Sequence, residues 1–495
     1  MKRASLLLLA ALLCFVRPAD ATWSIVVVDT RTGEVAVASA TCLANFELAA
    51  ATPVLIVGQG AAASQSVIAP TSVLKDLRQG ILAGYTPHQI LAYYTALDGA
   101  QDRQVGIATM AGPAVSWSGI GAAPANPMRW GTVGSIHYAM QGNLLAGHPV
   151  VSEMEKTFVL EPGDLSQKLM AAMQTARRFG GDGRCSCDLP KAHQCGSPPE
   201  NYGPDGKSAH TAFIHLARMG DTNGPCNGSV GCSAGDYYLD IEFNGGVNSD
   251  DPVIKLQKKL GEWREALIGR PDHLLSTVSP SAAVVAATDT AGVLVQVHLR
   301  DVEGVGLPGG GVQLSVESLS ERPAQSSVGA IEDHGDGTYS FSVFAGSEPG
   351  LDQFAIWADD GIRPVRLHPP LRVRVAAPQA LLAGAESVSA SAPHAVGLQL
   401  DLSPLRARAA YAILGTESAG SGAFLDFTLR FANSSQLPAT VGYLDGDGRA
   451  SAAFDASPAL LQSLVGTRLQ WTAWALDPQT GQLLTTPATE FEVIP

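Results

Sequence analysis

A threonine hydroxyl attacks an amide carbonyl only when a base close by takes its proton. At the start of a chain the residue carries that base itself, because a free α-amine has a pKa of about 8. In this sequence Thr22 is placed to become such a terminus. Lys2 and Arg3 form a basic start, Leu6 to Val16 form an apolar run, and Ala19 and Ala21 fill the small-residue positions of an A-x-A cleavage site. The run is too short for a spanning helix, which takes about 20 apolar residues. The sequence therefore predicts a signal peptide over residues 1–21 whose removal exposes Thr22. An uncleaved anchor fits less well. So does a lipoprotein at Cys14, because Leu12 and Leu13 stand where a small residue is needed. The expected chemistry is hydrolysis of an amide (C–N) bond: Thr22 attacks, and its amine relays the proton to the leaving amine.

Other residues fit around that centre. Asn143, beside Gly142, is the candidate oxyanion donor; a well-placed donor is worth about 3–4 kcal/mol in the transition state. Its plain alternative is a turn-former. Gln65 and Ser39 are candidates for the substrate-binding wall, or else satisfied strand residues. Asp182, with Arg184, contacts substrate or forms a surface ion pair. Asp29 closes a hairpin. His210 and His215 fall on opposite faces of a strand, so they do not share a metal. Pro308-Gly309-Gly310-Gly311 lacks the Lys-Ser/Thr of a phosphate loop. No Ser-His-Asp order and no H-E-x-x-H offers a rival mechanism. No metal and no cofactor is expected.

Composition sets the compartment. Acidic residues outnumber basic ones, 46 to 32, and the net charge is −14. A protein that tracks phosphates needs the opposite balance, so no nucleic-acid partner is expected. No second apolar run is long enough to span a bilayer, and the mature chain is read as secreted or periplasmic. Of seven cysteines, Cys14 leaves with the signal. Cys42, Cys185, Cys187, Cys195, Cys226 and Cys232 remain, an even set that favours disulfides in an exported chain. Cys42 as a nucleophile is the lesser reading. Cys185-x-Cys187 with His193 and Cys195 has zinc-like spacing, but an oxidising compartment removes free thiolates. Spacing leaves the pairing open.

The elements that position these residues follow from pattern. Ser24–Asp29 and Glu34–Ser39 read as strands about the turn Thr30-Arg31-Thr32-Gly33. Further strands are expected at Pro53–Val57, Val105–Thr109, Ala114–Ser118 and Ile136–Gln141. Thr86-Pro87 opens a helix through Leu97. Asp164 caps a helix with Leu165, Leu169, Ala172 and Ala176 on one face. Val253, Leu256, Leu260, Trp263 and Leu267 step at helical spacing. From about residue 280 helical periodicity vanishes. Short strands then recur at sandwich-like spacing, through Val293–Val297, Gln313–Val316, Ser340–Val343, Phe354–Ala358 and Leu371–Val375. Ala376 to Ala385 reads as a linker, and Leu398–Leu402, Phe427–Phe431, Ala450–Phe454 and Leu469–Leu476 as a second all-β set.

Several segments together carry a resemblance. They are Thr22-Trp23-Ser24-Ile25-Val26, Gly60 to Gln65, Arg103 to Ile107, Gln141-Gly142-Asn143-Leu144-Leu145, Gly180-Gly181-Asp182, Asp240-Ile241-Glu242 and Asp251-Pro252-Val253. In this order, from Thr22 to about Ile268, the chain resembles the family known as domain of unknown function 1028, placed among the N-terminal nucleophile (Ntn) hydrolases. In cytoplasmic relatives the threonine follows the initiator methionine; here a signal site takes that role. The resemblance implies an αββα sandwich and no particular substrate. The chain departs from the family in an insertion from Cys185 to about Gly206, in the added pair Cys226 and Cys232, and in Glu242, where an Arg is common. The expected organisation is α+β. An Ntn-hydrolase-like domain over 22–270 carries a Cys-rich insertion at 185–232. Two all-β sandwiches follow: an Ig-like one over 279–376 and a C-terminal one over 386–495. The expected partners are a small amide or peptide substrate and a cell-surface or glycan ligand of the sandwiches. A non-catalytic binding or adhesion protein is the competing reading.

Overall fold

The computed structural model describes residues 22–124, 126–187, 195, 207–281, 284–287, 292–321, 325–348, 350–376, 380–384, 387–391, 394–402, 406–417, 423–478 and 480–495. The chain divides into two compact units between Ile268 and Gly269.

The first unit is built on β1 (Thr22–Asp29). Its residues are buried on both faces, which is why its sequence is continuously apolar rather than alternating. Asp29 turns the chain: its Oδ1 accepts the Arg31 amide at 2.9 Å, and Gly33 takes φ +78°, a left-handed conformation that favours glycine. β2 (Val35–Thr41) returns beside β1. The remaining strands are β3 (Pro53–Ile56), β4 (Gly60–Gln65), β5 (Gln104–Thr109), β6 (Gly112–Ser118), β7 (Met128–Val133), β8 (Ile136–Asn143), β9 (Thr211–Ala217), the short pair β10 (Thr222–Asn223) and β11 (Gly235–Asp236), and β12 (Leu239–Asn244). An antiparallel six-stranded sheet runs β12-β9-β2-β1-β8-β7, and a four-stranded one runs β3-β4-β5-β6. The helices are α1 (Leu48–Ala51), α2 (Thr71–Leu82), α3 (Pro87–Tyr94), α4 (Pro149–Leu160), α5 (Leu165–Arg178), α6 (Gly183–Ser186) and α7 (Pro252–Glu265).

Alternation along the strands sorts side chains into three apolar clusters. Trp23, Ile25 and Val27 pack with Phe158, Leu169, Met173, Leu256 and Leu260 from α4, α5 and α7. Val26 and Val28 face the other way and meet Ala61, Ala63 and Ala108 of the four-stranded sheet. On that sheet's far side Val54, Ile56 and Ile107 pack with Leu74, Leu77, Ile81 and Tyr94 of α2 and α3. Alanines between the sheets let the two backbones approach closely.

Capping residues set helix starts as the sequence indicates. Thr86 and Asp164 each form a capping box with the glutamine three residues on, and proline opens α3. α3 ends at Tyr94, short of Leu97.

Six cysteines form Cys42–Cys185, Cys187–Cys195 and Cys226–Cys232. Cys185, Cys187 and Cys195 are therefore disulfide sulfurs and do not serve zinc; His193 lies outside the described residues. Among the described residues no helix is long and apolar enough to cross a membrane.

The second unit holds two further cores. One pairs the sheet of Thr277–Pro280, Val293–His298 and Thr338–Phe344 with that of Leu371–Ala376, Gly350–Asp359 and Gln313–Ser318. Val295, Val297, Phe341, Ile356 and Val373 fill the space between. The other lies between the sheet of Ala380–Ala383, His394–Asp401 and Arg449–Ala456 and that of Thr489–Ile494, Arg468–Leu476, Ala410–Glu417 and Val441–Tyr443, around Trp471 and Phe454.

Two expectations fail here. The expected strand at Phe427–Phe431 is the end of a helix, Ala423–Arg430. Its spacing explains this: Phe424 and Thr428, four apart, are buried together, with Phe424 edge-on to Trp471 at 5.7 Å. A second helix spans Pro458–Ser463, capped by Ser457, so this region is not all-β. The expected linker contains a strand, Ala380–Ala383, whose Leu381 is buried against the second core.

Candidate active site

Thr22 opens β1 and sits between Thr41 on β2 and Asn143, the last residue of β8. Directly opposed residues of antiparallel strands share a face, so all three lie on the side turned toward the four-stranded sheet. In the full chain Thr22 is buried and its nitrogen is still in a peptide bond to Ala21. Its hydroxyl donates to Thr41 Oγ1 at 3.4 Å, and its carbonyl accepts from Gln65 Nε2 at 2.8 Å.

Beneath Thr22 runs a buried polar layer between the sheets. Ser24 Oγ donates to Gln65 Oε1 at 2.7 Å and accepts from Gln141 Nε2 at 2.7 Å. Gln65 Nε2 also reaches Gln104 Oε1 at 3.2 Å, and Ser116 Oγ donates to Gln141 Oε1 at 3.1 Å. Satisfied networks of this kind hold one geometry firmly, since each lost partner strands a buried group. Gly106 faces the Gln141 amide so closely that a Cβ there would overlap it.

A charged pair flanks the hydroxyls. Asp182 is fully buried, caps α6, and accepts the Cys42 amide at 2.7 Å. Arg184 grips it with two nitrogens, Nη2 to Oδ2 at 2.9 Å and Nε to Oδ1 at 3.2 Å. The same Nη2 lies 3.4 Å from Thr41 Oγ1. The Cys42–Cys185 disulfide joins the residue after Thr41 to the residue after Arg184, so it staples the guanidinium beside the two threonines. The 182–184 pair is thus buried at its acid end, not a surface ion pair.

The residues picked from sequence therefore gather unevenly. Thr22, Gln65, Asn143 and Asp182 meet around one end of β1. Ser39 is near, but its hydroxyl donates to the Trp23 carbonyl at 2.8 Å and is spent on the backbone. Ser66 and Leu144, which follow Gln65 and Asn143, take φ +78° and +51°. Backbone strain of this sort persists where the surroundings over-determine it and clusters at functional sites. Sequence reasoning missed Thr41, Ser24, Gln104, Ser116 and Gln141. Their signal is a polar residue interrupting the inter-sheet face of an apolar strand.

A second polar cluster lies elsewhere on the six-stranded sheet. His215 Nε2 is 2.9 Å from Glu242 Oε1 and 3.1 Å from Asp240 Oδ1. Burial favours the neutral ring, but the two carboxylates outweigh it and push the pKa up to about 9. Burial likewise opposes charge on Asp240, yet hydrogen bonding to His215 holds its carboxyl below the usual range.

Comparison with known proteins bears on residues 22–188, which match the model of a family of unknown function (DUF1028). Among solved structures the chain is similar to a DUF1028 protein from Silicibacter pomeroyi, at 17% identity and TM-score 0.35 over 49% of this chain and 85% of that one. It is similar to the Escherichia coli adhesin FdeC at 11% identity and TM-score 0.29, covering 79% of this chain and 92% of that one. It is also similar to invasin, a bacterial integrin-binding protein, at 12% identity and TM-score 0.25, covering 58% and 46%. A search of curated proteins finds no match.

Proposed function

We propose that this chain is an exported hydrolase of amide bonds, of the Ntn type, whose nucleophile is Thr22 once the Ala21–Thr22 bond is cut. The observation that carries the reading is the position of Thr22. It is the first residue of the central strand, with its hydroxyl beside a second hydroxyl and its carbonyl anchored by Gln65. The family match also begins at residue 22, the residue that cleavage makes terminal. The succession of helices, sheet, sheet and helices in the first unit accords with an αββα sandwich. In the mechanism, the new α-amine takes the hydroxyl proton as Oγ1 attacks the carbonyl carbon. Asn143, opposite Thr22, is the proposed source of an oxyanion donor. The amine then protonates the departing nitrogen, and water releases the acyl group by the same relay. Disulfides and the A-x-A site accord with an extracellular or periplasmic location.

The test is a substrate panel of simple amides, N-acyl amino acids and short peptides, run on the exported protein. Thr22→Ala is expected to lose several powers of ten in rate, each worth about 1.4 kcal/mol of barrier, with little change in melting temperature. Thr22→Ser is expected to keep part of the activity. Full turnover by Thr22→Ala on any substrate hydrolysed removes the assignment.

One observation favours a second reading, a binding function of the C-terminal region. Tyr443, Leu476 and Leu483 lie in one row across adjacent strands, with Val441 and Trp474 in the next. All five are exposed, Tyr443 to 77%. A contiguous outward apolar face of this kind marks interaction surfaces. Binding to a cell surface or glycan that Tyr443→Ser with Leu483→Ser abolishes, in a protein that hydrolyses nothing, would favour it over catalysis.

A further inference from the structure

We propose that His215, Asp240 and Glu242 form a binding site for a single divalent transition-metal cation, Zn2+ or Mn2+, distinct from the Thr22 centre. The site lies on the pair β9 and β12. His215 is in register with Val37, which is in register with Val26. It therefore stands two strands across and four residues along from Thr22, roughly 13 Å in the strand direction at about 3.3 Å per residue.

The donor atoms have the spacing a metal needs. Ligands about 2.1 Å from one ion are separated by about 3.0 Å at right angles and about 3.4 Å at the tetrahedral angle. The His215 Nε2 separations, 2.9 Å to Glu242 Oε1 and 3.1 Å to Asp240 Oδ1, fall at the right-angle value. One nitrogen and two oxygens all lie within 4.8 Å of one another. A mixed imidazole–carboxylate set of this kind suits Zn2+ and Mn2+ better than Ca2+ or Mg2+, which take oxygen alone.

The frame that holds these atoms is rigid. Asp240 and Glu242 are two apart on β12 and share a face, and Asp240 is opposite His215 in the ladder. The His215 ring packs 4.8 Å from Phe213 and 6.0 Å from Tyr237, centroid to centroid. The imidazole is 4% exposed, the two carboxylates 47% and 43%, so the ring is fixed while the oxygens give an entry path. Among the described residues His215 Nδ1 has no hydrogen-bond partner, so Nε2 is the ring atom that is engaged. That nitrogen faces the Asp240 and Glu242 carboxylates.

The surroundings leave room for further ligands. The three residues line a cleft of about 290 Å3, lined also by Glu47 at α1's start, by Ser229 in the 226–232 disulfide loop and by Ser233 just after it. That volume admits several waters at about 30 Å3 each. Glu47, whose Oε1 accepts from Asn244 Nδ2 at 2.7 Å, is a third carboxylate on the same cleft. The neutralising power also points to a dication. A single N–H shared between two carboxylates satisfies each in part, whereas a 2+ ion balances both.

The test is calorimetric titration of the chelator-treated exported protein, which has lost Cys14, with ZnCl2 and MnCl2, and with MgCl2 as a control. The disulfide-bonded cysteines offer no competing thiolate. One equivalent of Zn2+ or Mn2+ is expected to bind and to raise the melting temperature. His215→Ala and Glu242→Gln are each expected to weaken binding at least about tenfold, the scale on which lost ligand-shell groups act. Glu242 is half-exposed on an edge strand, so Glu242→Gln keeps the fold if His215→Ala does not. Absence of binding by either metal overturns the proposal, and so does binding that Glu242→Gln leaves unchanged. Neither result touches Thr22, because hydrolysis is not the readout.

Discussion

At the scale of single residues, Thr22 differs from the rest of its strand in having a hydroxyl held only by a long contact to a second hydroxyl among the described residues. Trp23, Ile25 and Val27 are given to one core and Val26 and Val28 to another. Ser24 is locked between Gln65 and Gln141. Thr22 keeps only a long 3.4 Å contact to Thr41. Gln65 is the residue that fixes its backbone. Gln65→Leu keeps the volume but leaves the Thr22 carbonyl and the Ser24 hydroxyl short of a partner. A buried group so stranded costs about 1–3 kcal/mol. The variant is expected to unfold at correspondingly lower denaturant and to lose kcat, since the nucleophile is then less well oriented. Unchanged stability would mean that water replaces the amide and the polar layer is not a rigid support.

At the scale of elements, caps and registers carry the architecture. Asp164 shows both. Its Oδ1 accepts the Gln167 amide at 3.1 Å and starts α5, and its Oδ2 accepts from Arg264 of α7 at 2.5 Å. Asp164→Ala is expected to cost about 1 kcal/mol for the cap, with up to about a further 1 kcal/mol for the half-exposed ion pair. Denaturant unfolding measures the sum; a loss under about 0.5 kcal/mol, the low end for a cap, contradicts it. Much of this level is legible in sequence, because capping residues and β-branched runs act locally. Six of the eight strands from Thr22 to Asn143 and helices α3, α5 and α7 follow from pattern; β4 and β7 do not. α2 and α4 do not stand out: α2 carries Gly80 in its interior, and α4 starts behind His148 without a side-chain cap. Phe427–Phe431 reads as a strand because Phe-rich segments suit both periods, and only the packing of the helix Ala423–Arg430 against Trp471 decides. The candidate site is half legible. Thr22, Gln65, Asn143 and Asp182 stand out by position, while Gln104, Ser116 and Gln141 meet only through the register of two sheets. His215 with Asp240 and Glu242 is hidden for the same reason: His215 and Glu242 are 27 residues apart in sequence and meet only through the pairing of two strands.

At the scale of the whole molecule, each unit keeps its own core. The three apolar clusters of the first unit draw on residues up to Trp263, and those of the second begin at Val278. We therefore expect residues 22–268, exported alone, to unfold in one cooperative transition; aggregation of this piece beside a soluble full chain contradicts that boundary. Export also creates the proposed nucleophile, since Thr22 has no free amine until the chain before it is removed. The most direct measurement treats the exported protein with a threonine-reactive electrophile and maps the adduct by peptide mass. The account predicts an N-terminal peptide that begins at Thr22 and carries the label, with labelling lost in Thr22→Ala. An adduct on another residue, or a mature chain that begins elsewhere than Thr22, contradicts it.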